Sequence, residues 1–407
     1  MPLSATFQSL DQRNFRIWSA GALVSNIGTW MQRAAQDWLV LTQLTHHSAT
    51  AVGVVTGLQF APQLLLLPWT GTAADHFPQR RLLMVTQTLM GLLALLLGGL
   101  AIGGWVRLWQ VDVLAFLFGC AAAFDAPARQ TFVGELVDEP RLPNAVALNS
   151  TSFNAGRMLG PAAAGLVIAS IGTGWAFLLN GLSFFAVLAA LLRLDGAALY
   201  PKARTRHAKG SFAAGLRYVW VRPDLMAMLV MLALIGTFGL NFAIFISTMA
   251  VRVFHADARA YGLLSSCMAV GTVAGALLAA GRSRPGFGTL LAGAALFGLG
   301  CALAALAPGY WSFAAALVPT GAAALTFATT SNSLMQLASE PVMRGRVMAI
   351  RIAVAMGGTP IGAPIVGRVA DRFGPRWALG VGAAAGLAAA LVALAYLARR
   401  RPAPTRP

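Results

Sequence analysis

Charged residues are scarce in this chain of 407 residues, because they make up 11% of it while 57% is hydrophobic. A typical soluble domain carries about 25% charged residues. The mean hydropathy is +0.69, and a water-soluble fold of this size cannot hide so much apolar surface. The composition therefore excludes water as the main solvent and indicates a protein embedded in a membrane.

Cysteine and histidine are also rare, with three and five residues. Cys120, Cys267 and Cys301 lie far apart in apolar runs and form no Cys-x-x-Cys pair, which argues against a disulfide framework and a zinc site. The histidines show no metal-binding spacing, and the pair His46 and His47 is typical of a polar loop. The sequence predicts no metal and no cofactor.

The motifs of nucleotide-driven and hydrolytic enzymes are missing. A P-loop needs Gly-Lys-Ser/Thr, whereas Lys202 precedes alanine and Lys209 precedes glycine. The chain has no Gly-x-Ser-x-Gly, no His-Glu-x-x-His and no paired carboxylates within a predicted helix. We expect no enzyme, and any uphill transport would draw on an ion gradient or a partner. A cleavable signal peptide is not expected either, since the first apolar run is too long and contains Asp37.

What the chain does have is long apolar runs, each near the ~20 residues that a membrane-spanning helix needs. Unbroken runs favour helices over the weak alternation of a barrel. The runs lie at about 17–42, 49–73, 82–104, 109–128, 144–170, 173–194, 224–251, 258–281, 286–307, 310–335, 347–369 and 377–398. The sequence therefore predicts an all-α polytopic membrane protein with twelve transmembrane helices.

The formal net charge of +17 comes from 30 basic and 13 acidic residues. A soluble protein this basic would suggest nucleic acid, but here the basic residues lie between the apolar runs. Most of them fall in alternate connections, which is the positive-inside pattern. We therefore expect both termini in the cytoplasm, a lipid bilayer as the surroundings and no nucleic-acid partner.

The only long polar interruption runs from Asp195 to Asp224 and contains an amphipathic stretch from Phe212 to Trp220. It divides the chain into an N-terminal six-helix bundle (1–194), a cytoplasmic linker with an amphipathic segment (195–223) and a C-terminal six-helix bundle with a basic tail (224–407). The halves resemble each other as two repeats would. Gly160, Gly165, Gly172, Trp175 and Ala176 recur 202 positions later as Gly362, Gly367, Gly374, Trp377 and Ala378.

Polar side chains form stripes on three predicted helices, and such stripes should face a central cavity because exposing them to lipid is costly. The predicted cavity residues are Asn26, Arg33, Gln59, Gln63, Asn154 and Arg157. Asp37 follows Arg33 by four residues and is either an interfacial acid paired with it or a proton-exchanging carboxylate. Arg157 is either a substrate or gating residue or a structural partner of a helix-end carbonyl. Two arginines against one aspartate favour anionic or neutral substrates over lipophilic cations.

Two further segments carry small or charged residues at helix ends and interfaces. In the loop after the second run, Asp75 can cap a neighbouring helix or hold an arginine, although the loop also reads as an ordinary basic inner loop. In the fifth run, glycines at spacing four permit close packing and Pro161 favours a bend. Ordinary helix packing is the alternative for that segment.

Taken together, this layout resembles the major facilitator superfamily. The segment from Gly71 to Arg81 is similar to its loop 2–3 signature, and the segment from Gly156 to Gly165 to the helix 5 signature of antiporters. The stretches 123–137, 144–149 and 345–349 are similar to the exporter branch that includes siderophore exporters and drug-efflux proteins. The stretch 367–376 looks like a second loop signature but falls on the predicted outer side, where we interpret it as the repeat of the helix 5–6 connection.

The resemblance implies a bacterial cytoplasmic (inner) membrane transporter that exports a small amphipathic molecule (a drug, siderophore or other metabolite) by proton antiport with alternating access. It assigns roles to specific residues: an inner gate (Gly71, Asp75, Arg80, Arg81), a helix 5 pivot (Gly156, Gly160, Pro161, Gly165) and a proton site (Asp37). An importer or facilitator on the same fold, or a non-transporting receptor, are the alternatives. A monomer is expected because the chain has no long interaction tail.

Overall fold

The computed structural model describes residues 7–200, 212–280 and 286–399, and all regular secondary structure within these ranges is helical. The α-helices are α1 (Arg13–Leu39), α2 (Ala49–Leu65), α3 (Leu67–His76), α4 (Gln79–Ile102), α5 (Leu108–Val133), α6 (Leu142–Ile171), α7 (Thr173–Arg193), α8 (Phe212–Trp220), α9 (Pro223–Leu234), α10 (Phe242–Thr248), α11 (Ala258–Ala280), α12 (Phe287–Leu306), α13 (Tyr310–Ala338), α14 (Pro341–Phe373) and α15 (Pro375–Arg399). Short 3₁₀ turns lie at Gln8–Asp11, Glu139–Arg141 and Gly196–Ala198, and π turns at Val40–Leu44, Ile235–Gly239 and Met249–Val253.

Each predicted apolar run is mostly helical over its described residues, with interruptions at Leu66 in the second run and at Leu240 and Asn241 in the seventh. Nine helices in the described ranges are long and apolar enough to cross a membrane, counting α9 and α10 with their π turns as one span from Pro223 to Val253. The remaining runs form α1, the shorter pair α2 and α3, and α6. The multi-helix membrane architecture is confirmed, while the count of twelve spans stays a prediction.

The seventh run is broken where the π turn Ile235–Gly239 ends, and α10 begins only at Phe242. Asn241 Nδ2 donates a hydrogen bond of 2.7 Å to the Thr237 carbonyl across this break. On α14, Gly362 lies directly against that carbonyl, so any side chain there would collide with the backbone. The missing side chain thus lets α14 pack tightly on the broken segment.

The chain divides into two compact units that are discontinuous in sequence. One contains residues 1–48, 58–207 and 255–266, and the other contains 49–57, 208–254 and 267–407. The apolar centre of the first unit is built by Phe15, Trp18, Leu83, Phe132 and Leu191, all nearly inaccessible. The second unit contains α8, whose Gly215 lies against Arg346 of α14. The predicted boundaries at 194 and 224 stay predictions, and Lys202 and Lys209 lie outside the described residues.

Backbone geometry supports the internal repeat. Gly172 and Gly374, which are 202 positions apart, end α6 and α14 with φ of 102° and 103°. Only glycine adopts such angles without strain. Gly165 of α6 packs against Ala258, the first residue of α11. Its repeat equivalent, Gly367 of α14, packs against Ala49, the first residue of α2. Each unit therefore uses a glycine at the same repeat position to admit the start of another helix.

Candidate functional site

A cluster of cationic and aromatic side chains forms on α1. The guanidinium carbon of Arg33 lies 4.7 Å from the ring centre of Trp30 and 5.1 Å from that of Phe60 on α2. Trp30 is three residues before Arg33, so the long side chain follows the helix toward its N-terminus. Stacking on two rings partly offsets the cost of holding this charge away from water.

The second arginine reaches the same ring from α6. A Cβ added at Gly156 would lie 2.7 Å from the carbonyl carbon of Asn26, and one at Gly160 would lie 2.5 Å from Cβ of Trp30. Because these glycines let α6 approach α1 so closely, the guanidinium carbon of Arg157 comes within 5.6 Å of the Trp30 ring centre. The structure thus brings Asn26, Arg33 and Arg157 together near Trp30, while their role as cavity residues stays a prediction.

The predicted amide residues differ in how their polar groups are used. Asn26 Nδ2 donates to Ser152 Oγ at 3.0 Å, and Asn154 Nδ2 donates to the Ser150 carbonyl of its own helix at 2.9 Å. Gln59 is buried, and its Nε2 has no hydrogen-bond partner among the described residues. Gln63 is half-buried on α2. Only Gln59 therefore keeps an uncommitted buried side-chain donor.

Asp37 is placed differently from the direct pairing that its spacing to Arg33 suggested. The two side chains form no ion pair within 4.0 Å, although both belong to the described part of the chain. Arg33 is held on the rings of Trp30 and Phe60, which draws its guanidinium away from Asp37. The hydroxyl of Tyr261 lies beside the Asp37 carboxylate instead.

Tyr261 belongs to α11 and was not predicted, because nothing in its local sequence distinguishes it from a packing residue. Its ring stacks on Trp38 with centroids 5.6 Å apart and an interplanar angle of 27°. The side chain is 2% exposed. Trp38 follows Asp37 directly, so the stack fixes the phenol next to the carboxylate.

The segment predicted as a pivot is an uninterrupted helix that packs on two sides. α6 continues through Pro161, which is buried. Gly156 and Gly160 contact α1. On the other side of α6, a Cβ added at Gly165 would lie 2.6 Å from the carbonyl oxygen of Ala258 on α11. The four residues thus form a close contact between three helices of the first unit.

The predicted inner-gate residues are only partly described. Gly71 and Asp75 fall in α3, and the surroundings of these two residues lie outside what the structure describes. Arg80 Nη2 donates to the Leu192 carbonyl near the end of α7 at 3.4 Å, and Arg81 is exposed. The gate therefore stays a prediction.

A buried polar network joins α4 and α5. Asp125 is 5% exposed and accepts hydrogen bonds from Thr86 Oγ1 at 2.8 Å, Gln87 Nε2 at 2.6 Å and Arg129 Nε at 3.2 Å. Arg129 in turn lies over the Trp18 ring at 5.5 Å. Burying a charge is tolerated when the charge is paired and hydrogen-bonded. We therefore interpret this network as a structural link between α4 and α5. The available signal was an acid, Asp125, inside an apolar run with Arg129 four residues later, just after the run ends.

A second unpredicted arrangement, which we call the clasp, consists of Asp371 and Arg252 at the start of α2. The Asp371 carboxylate accepts the backbone N–H of Ala49 and of Thr50, each at 2.8 Å. Arg252 Nη1 donates to the same carboxylate at 3.1 Å and to the Ala370 carbonyl at 3.2 Å. These N–H groups have no partner within their own helix, and the N-terminal dipole favours a negative charge. The equivalent position in the first repeat is Ala169, so the first repeat has no such acid.

Replacing Asp371 with alanine is expected to destabilise the protein by about 1–3 kcal/mol, because two helix N–H groups and one guanidinium lose their acceptor. The apparent melting temperature in detergent micelles measures this. Asp257→Ala is the matched control, since Asp257 caps α11 through one bond of 2.9 Å to Ala260. A smaller loss in Asp371→Ala than in Asp257→Ala would contradict the clasp.

No group of three or more His, Cys, Asp or Glu side chains able to hold a metal occurs in the described ranges. The chemistry of the site is therefore that of guanidinium, carboxylate, phenol and aromatic groups. These groups can bind, orient and neutralise a small molecule.

Nine apolar helices of membrane-spanning length in the described ranges, together with glycine contacts at the same repeat position in each unit, define a polytopic membrane protein, and a charged aromatic cluster lies on its helices α1, α2 and α6. The model of the transmembrane secretion effector family matches residues 4–403. The chain belongs to that family, within the exporter branch of the major facilitator superfamily, and it is a transporter and not an enzyme.

Curated relatives are similar over much of the chain. The multidrug efflux pump Tap of Mycolicibacterium fortuitum is 28% identical, covering 87% of this chain and 88% of the relative. The enterobactin exporter EntS of Shigella boydii is 25% identical, with 83% and 80% covered. The staphyloferrin A transporter of Staphylococcus aureus is 26% identical over 62% of this chain and 63% of that protein, so the match spans less than two thirds of its length.

Solved structures confirm the fold. A bacterial homologue of the lysosomal transporter Spinster, in an inward-facing and unoccupied conformation, gives a TM-score of 0.70 at 16% identity and covers 97% of this chain and 98% of its own. A bacterial homologue of the iron transporter ferroportin gives 0.70 at 15% identity, with 94% and 98% covered. At these identities the likeness concerns the fold alone.

Proposed function

We propose that this chain is a secondary active transporter that exports a small amphipathic molecule, such as a drug, a siderophore or another metabolite, by proton antiport. The carrying observation is the cluster of Arg33, Arg157 and Trp30 at helix positions that lipid would penalise. Membership of the secretion effector family supports transport, and the relatives that are an efflux pump and an exporter support the outward direction.

The proposed topology has twelve membrane-spanning segments with both termini in the cytoplasm. It adds α1, the pair α2 and α3, and α6 to the nine apolar spans. Two six-helix bundles (1–194 and 224–407) flank the linker 195–223, and they alternate in exposing a midplane site to either side. The protein resides as a monomer in a bacterial cytoplasmic membrane.

The proposed roles follow the contacts of each residue. Arg33, Arg157 and the amides Asn26, Gln59, Gln63 and Asn154 contact the substrate. Gly156, Gly160, Pro161 and Gly165 form the contact about which α6 moves, and Gly71, Asp75, Arg80 and Arg81 close the inner side. Asp37 exchanges the proton, and the Tyr261 hydroxyl beside it offers a polar partner to its carboxylate.

Expression in an efflux-deficient bacterial host tests the direction of transport. We expect lower accumulation of at least one compound from a panel of antibiotics, dyes and siderophores, and we expect an uncoupler that collapses the proton gradient to restore it. Higher accumulation would establish the importer. Accumulation unchanged for every compound would favour the non-transporting receptor and contradict the proposal.

A further inference from the structure

Arg157 carries a positive charge that nothing nearby neutralises. It lies 15 residues after the start of α6, about 22 Å along the helix axis and near its middle. Among the described residues it forms no ion pair, and its recorded contact is the Trp30 ring at 5.6 Å. A ring attracts a guanidinium only weakly compared with a carboxylate, so the site keeps an unsatisfied preference for an anion.

Arg33 is in a different position. Asp37 lies one helical turn away on the same face, so its charge has a counter-charge even without direct contact. The guanidinium is also held between the rings of Trp30 and Phe60. One of the two positive charges is therefore balanced from within the first unit, and the other is left for a ligand.

The neutral groups around Arg157 do not supply what it lacks. The amide nitrogens of Asn26 and Asn154 are donors, engaged with Ser152 and the Ser150 carbonyl, and the amide oxygens of both residues carry no negative charge. On the neighbouring helices α1 and α2, Nε of Arg33 and Nε2 of Gln59 are buried donors without a hydrogen-bond partner among the described residues. The two guanidinium groups that meet at the Trp30 ring are donors only, and such groups favour an acceptor that bears negative charge.

The walls of this site are aromatic. Trp30 packs edge-to-face on Phe153 of α6 with centroids 5.8 Å apart, and Phe153 is 48% exposed. An apolar or aromatic body attached to the anionic group can pack against these rings.

We infer that Arg157 binds the carboxylate of an organic anion whose apolar body rests on Trp30 and Phe153. This inference rests on the proposed function and specifies its substrate class: aromatic or amphipathic carboxylates. Arg33 and Asp37 are left as the pair that responds to protonation.

The test compares a carboxylate with its neutral amide on the full-length protein in lipid nanodiscs. Binding of radiolabelled 2-naphthoate and 2-naphthamide is measured by scintillation proximity. We expect the wild type to bind the acid more tightly than the amide and Arg157→Gln to weaken acid binding about 10- to 100-fold while leaving amide binding unchanged. Arg157→Lys should keep part of the preference, and Arg399→Gln, at the end of α15, should keep all of it.

Three results would overturn the inference: equal binding of acid and amide by the wild type, a preference that survives in Arg157→Gln, or no binding of the acid at millimolar concentration. None of these results would contradict the proposed function, because that proposal is tested by gradient-driven flux in whole cells. A transporter of neutral compounds would pass the flux test and fail this one.

Discussion

Replacing Gly160 with valine is expected to abolish transport while the protein still inserts into the membrane. A Cβ at this position would lie 2.5 Å from Cβ of Trp30 and 2.8 Å from the backbone nitrogen of Met31, so α6 must move away from α1. That movement withdraws Arg157 from Trp30 and removes the close contact about which we propose that α6 moves. A displacement of about 1 Å at a binding site can cost 10²-fold in rate, while an apolar substitution leaves insertion intact.

Gly99→Val on α4 is the control for this variant, because an added Cβ at Gly99 meets nothing within 4 Å. Efflux from cells and the amount of protein in the membrane fraction are measured for both variants. Gly99→Val should transport like the wild type. Normal efflux by Gly160→Val would remove the proposed role of the α1–α6 contact.

Replacing Asp37 with asparagine is expected to eliminate proton-driven transport but to preserve exchange of substrate across the membrane at equal pH. The asparagine mimics the protonated acid and never releases a proton, so a cycle that requires proton release stops. Exchange needs only substrate binding and the conformational change, and both remain. Proteoliposomes loaded with unlabelled substrate measure the exchange, and an imposed pH gradient measures the driven flux.

Asp138→Asn serves as the matched control, since Asp138 is a partly exposed acid that pairs with Arg141 at 3.7 Å. It should retain both activities. Tyr261→Phe removes the hydroxyl beside Asp37 and should shift the pH dependence of driven flux without eliminating it. Loss of exchange together with driven flux in Asp37→Asn would reduce Asp37 to a structural acid.

Hydropathy alone located the helices, because an apolar run of about 20 residues has few other stable states in lipid. The runs at 173–194 and 377–398 match α7 and α15 within a few residues. The break at Leu240 and Asn241 was not predicted. It depends on the close approach of Gly362, which lies more than a hundred residues away in sequence.

The part of the site that could be predicted is the part that depends on the spacing of polar residues along a single helix. The polar stripes of α1 and α6 predicted a shared cavity, which stays a prediction, and the structure brings Arg33 and Arg157 to the same Trp30 ring. Direct pairing with Arg33 was one of two alternatives for Asp37, and the structure shows no ion pair between them within 4.0 Å; the Arg33 guanidinium lies over Trp30 and over Phe60, which belongs to another helix. Tyr261 had no signal in the sequence at all.

The clasp at Asp371 shows the same limit. Its segment was interpreted as the repeat of the helix 5–6 connection, and the matched angles of Gly172 and Gly374 support that interpretation. The pattern did not indicate that Asp371 caps α2, since capping needs the start of a helix some 320 residues earlier.

Inside-out vesicles from an efflux-deficient host give the most direct test of proton-coupled export. A proton gradient is imposed, a compound that accumulates less in expressing cells is added, and substrate uptake and gradient loss are recorded together. Proton-coupled export through Asp37 predicts uptake that consumes the gradient in the wild type and neither effect in Asp37→Asn. Uptake that proceeds without consuming the gradient, or proceeds equally in Asp37→Asn, would contradict it.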